Sequence, residues 1–112
     1  MPAKSKITFV VPNNLQQELR ERVIHDNYGL RGKSKWIAEA TEKLLSFENF
    51  PELVNYGNEL HGFGKVETVV IEYQLKTKLD AAIIQLRRQF PTLEGPQSRI
   101  LRTAILQRLL RK

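Results

Sequence analysis

The chain has 112 residues, a net charge of +6 and no cysteine. This length suits one compact domain, and no apolar run is long enough for a membrane span or a secretory signal. The absence of cysteine excludes a disulfide framework and a thiolate metal site, and His25 and His61 have no metal-ligand partners at useful spacing. We therefore expect a cytoplasmic protein without a cofactor or a metal ion.

The charge is uneven along the chain. Residues 1–46 carry +3 and residues 65–112 carry +6, whereas residues 47–64 carry −3 and contain no basic side chain. Two basic blocks therefore flank an acidic connector. Positive charge of this size suits nucleic acid, a membrane surface or simple solubility, and it does not choose among them.

The first block predicts a strand followed by two helices. The β-branched run over residues 7–11 ends at Pro12, where a helix can begin, and Gly29 tolerates the left-handed conformation that ends a helix. Ser34 is the expected N-cap of the second helix. The apolar positions at helical spacing are Leu15, Leu19, Val23 and Ile24, then Trp36, Ile37, Ala40, Leu44 and Leu45.

The connector, residues 47–64, contains seven large apolar or aromatic residues and is not of low complexity. Pro51 suits the first turn of a short helix, which we expect over residues 51–60. We expect this segment to pack on the core, with a protein-binding patch as the alternative. The run Gly62-Phe63-Gly64-Lys65 lacks the rest of a phosphate-loop motif and is interpreted as a flexible lead into the next strand.

The second block repeats the order of the first. Residues 68–71 favour a strand, Pro91 ends the helix that follows, and Gly95-Pro96-Gln97-Ser98 predicts a turn and a cap. At an offset of sixty, Thr8 matches Thr68 and Val10 matches Val70, and after four extra residues 33–38 match 97–102. The helical apolar positions are Leu75, Leu79, Ile83 and Leu86, then Ile100, Leu101, Ala104, Ile105, Leu109 and Leu110.

A strand with two helices leaves its own strand edge unpaired, so the economical arrangement pairs the two strands antiparallel around Thr8 and Thr68. The predicted fold class is α+β, with a two-stranded antiparallel ribbon and four or five helices in the order β-α-α-linker-β-α-α. One domain, 1–112, would contain a first unit over 5–46, the linker over 47–64 and a second unit over 65–112. Chance similarity of two amphipathic segments is the alternative. Alternation sends inward Ile7, Phe9, Val11, Val69 and Ile71.

Glu67 departs from this pattern, because it falls on the inward face opposite Phe9. Either it frays outward at the strand end, or the register is off by one residue.

The repeated order of strand, helix, polar cap and helix resembles the ribbon-helix-helix family of the Arc/MetJ type. The resemblance covers residues 5–46 and 65–111, with the caps Lys33-Ser34-Lys35 and Gln97-Ser98-Arg99. The tandem form in one chain is similar to TraY-type proteins of conjugative plasmids and VirC2-type proteins of DNA-transfer systems. The resemblance implies a pseudo-dimer whose ribbon enters the DNA major groove.

The resemblance also implies the contact residues, by position. Base contacts would come from Lys6, Thr8, Val10, Val66, Thr68 and Val70. Phosphate contacts at the second-helix N-termini would come from Lys33, Ser34, Lys35, Gln97, Ser98 and Arg99. The alternative is that the strand residues are simply good strand formers and that the lysines are solvated neighbours of ordinary caps.

No set of nucleophile, base and orienting group can be assembled, so we do not expect an enzyme. Glu18, Glu21 and Asp26 are interpreted as a solvated helix face, and Trp36 as part of the core. The function implied is sequence-specific binding of double-stranded DNA that regulates transcription of mobile DNA or plasmid genes. The alternatives are a relaxosome accessory protein at a conjugative transfer origin and an antitoxin. The expected partners are DNA, neighbouring copies along it, and a relaxase or the transcription machinery, but no membrane.

Overall fold

The structure is a computed structural model that describes residues 4–29, 31–56 and 64–111. Over these ranges it is α+β, with one two-stranded antiparallel sheet and five helices. This confirms the predicted class and ribbon. The elements in chain order are β1 (Lys4–Pro12), α1 (Asn13–His25), α2 (Lys33–Leu45), α3 (Phe50–Asn55), β2 (Gly64–Glu72), α4 (Tyr73–Gln89) and α5 (Pro96–Leu110).

The two strands pair in the predicted register. Thr8 lies opposite Thr68, and Phe9 lies opposite Glu67. The expected inward residues are all buried, namely Ile7, Phe9, Val11, Val69 and Ile71. The alternation that places them inward also places the residues between them on the opposite face of the ribbon. A one-residue slip would have exchanged the two faces, so the burial pattern agrees with this register.

The helices close one core beneath the ribbon. Its fully buried members include Leu19, Trp36, Leu44, Val54, Leu79, Leu86, Ile100 and Ile105. Phe50, Pro51 and Val54 of α3 are buried, so the described part of the connector packs on this core as expected. This helix begins at Phe50, one residue before the predicted start. Residues 57–60 of its predicted span lie outside the described ranges, and so do residues 62–63 of the flexible segment expected before the second strand. No helix in the described part of the chain is long and apolar enough to cross a membrane.

Two of the apolar residues that mark the predicted helices lie outside the core. Ile24 is 56% exposed and Leu110 is 81% exposed. Leu15, Leu19 and Val23 already form the buried row of α1 at a spacing of four, and the next residue lies about 100° around the helix from it. Leu110 is the last residue of α5, where the helix has passed the core.

Helix α1 ends at His25, just before the stop that Asn27-Tyr28-Gly29 predicts, and Gly29 takes the expected left-handed conformation with φ 75°. Asn27 is also left-handed, with φ 64°. Its N–H donates to the carbonyl of Ile24 at 3.0 Å, and the Tyr28 N–H donates to that of Val23 at 3.1 Å. These two bonds form a Schellman motif, which satisfies the last carbonyls of the helix. At the other predicted stop, α4 ends at Gln89, before Pro91, as expected.

Trp36 is fully buried, as expected, and it joins α1, α2 and α5. Its indole N–H donates to the Asp26 carboxylate at 2.9 Å, and the Arg108 guanidinium lies 4.6 Å from its ring centroid. Asp26 is therefore not a solvated carboxylate of a helix face. The indole hydrogen bond is the largest influence on Asp26 and lowers the pKa of its carboxyl; Arg22, 3.2 Å away, also lowers it.

Candidate nucleic-acid interface

The outward face of the ribbon includes six central side chains, beyond which Lys4 and Glu72 lie opposite each other at one end. Lys6, Thr8, Val66 and Val70 are exposed, and Val10 and Thr68 are half-buried. The structure thus brings together all six residues to which the resemblance assigns base contacts. Val66, near one end of the ribbon, is 67% exposed. The face is mixed, with hydroxyls at its centre and methyl groups beside them.

The two ends of this face are chemically different. At one end Lys6 lies beside Val70, and at the other Val10 lies beside Val66. The axis that relates the two strands passes between Thr8 and Thr68, so it matches Lys6 with Val66. The ribbon is therefore nearly symmetric at its centre and has a cation at one end only.

The N-terminus of α5 covers the free edge of β1. The Val10 N–H donates to the Ser98 hydroxyl at 3.1 Å, and the Val10 carbonyl accepts from the Arg102 guanidinium at 2.9 Å. The Gln97 amide donates to the Thr8 carbonyl at 2.8 Å. A two-stranded ribbon leaves N–H and carbonyl groups unpaired along its outer edges. These three bonds satisfy such groups of Thr8 and Val10.

The N-terminus of α2 does the same for β2. The Val70 N–H donates to the Ser34 hydroxyl at 3.1 Å, which is the counterpart of the bond between Val10 and Ser98. Each block thus holds the strand of the other block. The arrangement brings both second-helix N-termini against the two long edges of the ribbon.

The expected capping roles of Ser34 and Ser98 are wrong. The N-cap residues are Gly32 and Gly95, and no side chain caps either helix. The two hydroxyls are engaged by strand N–H groups instead of helix N–H groups. At Gly32 only glycine fits, because a Cβ there would lie 2.1 Å from the Tyr28 carbonyl oxygen.

The six expected phosphate ligands differ in how the fold already uses them. Ser34, Gln97 and Ser98 contact the ribbon, as described above. Lys33 forms an ion pair with Glu67, and Arg99 donates a hydrogen bond to the Asn55 carbonyl at 3.4 Å. Lys35 is the exposed member of the set. The six residues lie at two helix N-termini, one on each side of the ribbon.

Glu67 is buried beneath the ribbon, so it neither frays outward nor shifts the register. Lys33 and Gln16 donate hydrogen bonds to its carboxylate, and Arg20 lies 3.5 Å away. Burial raises the pKa of the Glu67 carboxyl, but the bonds from Lys33 and Gln16 and the two positive charges outweigh this effect, and the pKa lies below its ordinary value. The alternation placed Glu67 inward, but sequence reasoning missed its partners, which come from α1 and α2.

Within the described ranges, no three His, Cys, Asp or Glu side chains lie together as a metal site would require. His25 is 81% exposed and lies 3.3 Å from Asp26, and His61 lies outside the described residues. Scans of this chain against protein-family models, curated proteins and solved structures find no match. The candidate interface therefore rests on its geometry and chemistry.

Proposed function

We propose that this chain is a single-chain ribbon-helix-helix pseudo-dimer that binds double-stranded DNA with the outward face of its ribbon in the major groove. One observation carries the proposal. Six side chains of β1 and β2 share an exposed face, and a helix N-terminus lies along each edge of that ribbon. A two-stranded ribbon is narrow enough for the major groove of B-form DNA.

The chemistry of the face suits base edges. The Thr8 and Thr68 hydroxyls can donate or accept at the centre of the site, and the valine methyl groups can contact thymine methyl groups. Lys6 can donate to guanine O6 or N7. The face supplies few hydrogen bonds, so much of the affinity would come from the phosphate backbone.

The helix N-termini suit the phosphates. The first N–H groups of a helix have no partner within the helix, and the positive end of the helix dipole lies there. Lys35 adds an exposed charge at α2. The net charge of +6 favours association with a polyanion at any sequence. Contacts of this kind position a protein on the duplex, while the ribbon discriminates between bases.

The biological role that we propose is regulation of transcription on mobile DNA or plasmid genes, because a protein seated in the major groove of a promoter competes with the transcription machinery for that DNA. DNA binding is the part of this proposal that can be tested directly with the purified protein.

The test places a carboxylate at the centre of the ribbon. In fluorescence anisotropy with a labelled duplex, Thr8→Glu and Thr68→Glu should each weaken binding by about tenfold or more, because an anion would face the bases and phosphates. Gln85→Glu, at an exposed position of α4, is the matched control with the same charge change and should bind like the parent protein. Equal binding by all three variants would contradict the proposal.

A further inference from the structure

A cavity with two arginines in its wall lies beside the C-terminal part of β1. It has a volume of about 790 Å³ and opens between the end of α3, the turn after α4 and the first turns of α5. Its walls include Asn55, Thr92, Glu94, Arg99 and Arg102. Arg99 and Arg102 are three residues apart on α5 and so share one face of that helix. Two guanidinium groups therefore line the same cavity.

Arg102 is unusual because it is a charged side chain that is only 6% exposed. Its Nη1 donates to the Val10 carbonyl, whereas its Nε is buried and has no hydrogen-bond partner. No carboxylate of the described chain forms an ion pair with it. Burial, and then the nearby positive charge of Arg99, lower the pKa of the Arg102 guanidinium.

A buried cation without a counter-charge is destabilising, and a neighbouring cation of the same sign adds to the penalty. An anion in the cavity would remove both effects and would accept the hydrogen bond that Nε can donate. The forked donors of guanidinium groups match phosphate oxygens, and the cavity lies at the N-terminus of a 15-residue helix, where the dipole also favours an anion.

We propose that this cavity is a binding site for a phosphate group, held by Arg102 and Arg99. The site belongs to the second block alone, because Ala38 and Lys35 occupy the matching positions of the first block. One site per chain is therefore expected. Glu94 lines the same cavity and opposes an anion there. The site overlaps the proposed DNA interface at Arg99, which is also an expected phosphate contact, whereas Arg102 and Glu94 lie outside the outward face of the ribbon.

The test is calorimetric titration of the full chain with inorganic phosphate, against chloride at equal ionic strength. The parent protein should bind one phosphate per chain. Arg102→Gln and Arg99→Gln should each weaken that binding by about tenfold or more, because each removes a charged hydrogen-bond donor. Glu94→Gln should strengthen it. Arg88→Gln, an exposed position of α4 outside the cavity, is the matched control and should leave it unchanged.

Arg102 also donates a hydrogen bond to the Val10 carbonyl, so Arg102→Gln could fail to fold. In that case the Arg99 and Glu94 variants still test the proposal. The proposal is overturned if the parent protein shows no saturable binding of phosphate. It is also overturned if the Arg99 and Glu94 variants both bind phosphate like Arg88→Gln.

A second titration, with a DNA duplex present, distinguishes two sources of the phosphate group. If the group belongs to the DNA backbone, inorganic phosphate should compete with the duplex more strongly than chloride does. If it belongs to a small phosphorylated ligand, phosphate and duplex should bind the same chain together. Either result supports the site.

Discussion

The hydroxyl of Ser98 accepts a hydrogen bond from the backbone N–H of Val10, at 3.1 Å. The serine belongs to α5 and the valine to β1, so the bond joins the last helix to the first strand. Ser34 of α2 makes the same contact with Val70 of β2, also at 3.1 Å. The two blocks are therefore joined at both edges of the ribbon, beyond the pairing of the strands.

Replacement of these serines should destabilise the fold. Ser98→Ala and Ser34→Ala each leave a strand N–H without its partner, which should lower the free energy of unfolding by about 1 kcal/mol. Urea denaturation measures the change. Ser46→Ala is the matched control, because the exposed Ser46 hydroxyl donates to the carbonyl of Lys43 within its own helix end. Equal stability of all three variants would show that the edge contacts contribute nothing.

The chain should be a monomer in the absence of DNA. β1 and β2 of the same chain pair with each other, and each is held by a helix of the other block. Light scattering should therefore give a mass of 13.0 kDa. A stable dimer that exchanges strands between chains would contradict this arrangement.

The stability of the protein should depend on the charge of Glu67. The folded protein holds the pKa of this carboxyl below its ordinary value of 4.5. Its contribution is therefore fully present above that value and is lost as the pH falls through the folded pKa. Glu67→Gln should be less stable than the parent protein at pH 7 by about 1–3 kcal/mol, because a charged hydrogen bond becomes a neutral one.

Urea denaturation at a series of pH values tests this expectation. The stability gap between the two proteins should narrow as the pH falls below 4.5. Asp26 and Glu39, whose carboxyl pKa values are also lowered, are present in both proteins and therefore largely cancel in the comparison. A gap that stays constant from neutral to acid pH would rule out the charged role of Glu67.

The sequence was enough to predict the ribbon and its inward residues, because alternation has a period of two and Thr8 recurs as Thr68. It left the register open by one residue, because nothing local explains a carboxylate at the inward position of Glu67. It did not predict the roles of the serines. A helix cap is a local pattern, whereas Ser98 lies 88 residues along the chain from Val10, whose N–H donates to its hydroxyl. The partners of Glu67 were missed for the same physical reason, since Gln16 and Lys33 approach it only after the helices pack.

Lys35 should contribute to DNA affinity through its charge. It is exposed near the N-terminus of α2, so Lys35→Ala should weaken binding to all duplexes alike and reduce the slope of log affinity against log salt by about one. Lys43→Ala, near the other end of the same helix, is the control. Ser34→Glu is a less clean test, because it also removes the acceptor of the Val70 N–H. An unchanged slope would remove Lys35 from the phosphate contacts.

The two ends of the ribbon should prefer different bases. Lys6 can donate to guanine, whereas Val66 at the matching position offers only an apolar contact. Lys6→Val should therefore abolish a guanine preference at one flank of the site and make the preferred site more symmetric. Loss of one good base contact corresponds to about 1–3 kcal/mol of discrimination. Comparison of the sites selected by the variant and the parent protein measures the effect.

Selection of bound duplexes from a random DNA pool shows whether the outward face of the ribbon discriminates between DNA sequences. We expect enrichment of one site whose centre is nearly two-fold symmetric and whose flanks differ, with guanine on the side of Lys6. A pool that shows no enrichment after repeated rounds would contradict sequence-specific binding. A perfect inverted repeat would contradict the assignment of Lys6 and Val66 to the groove.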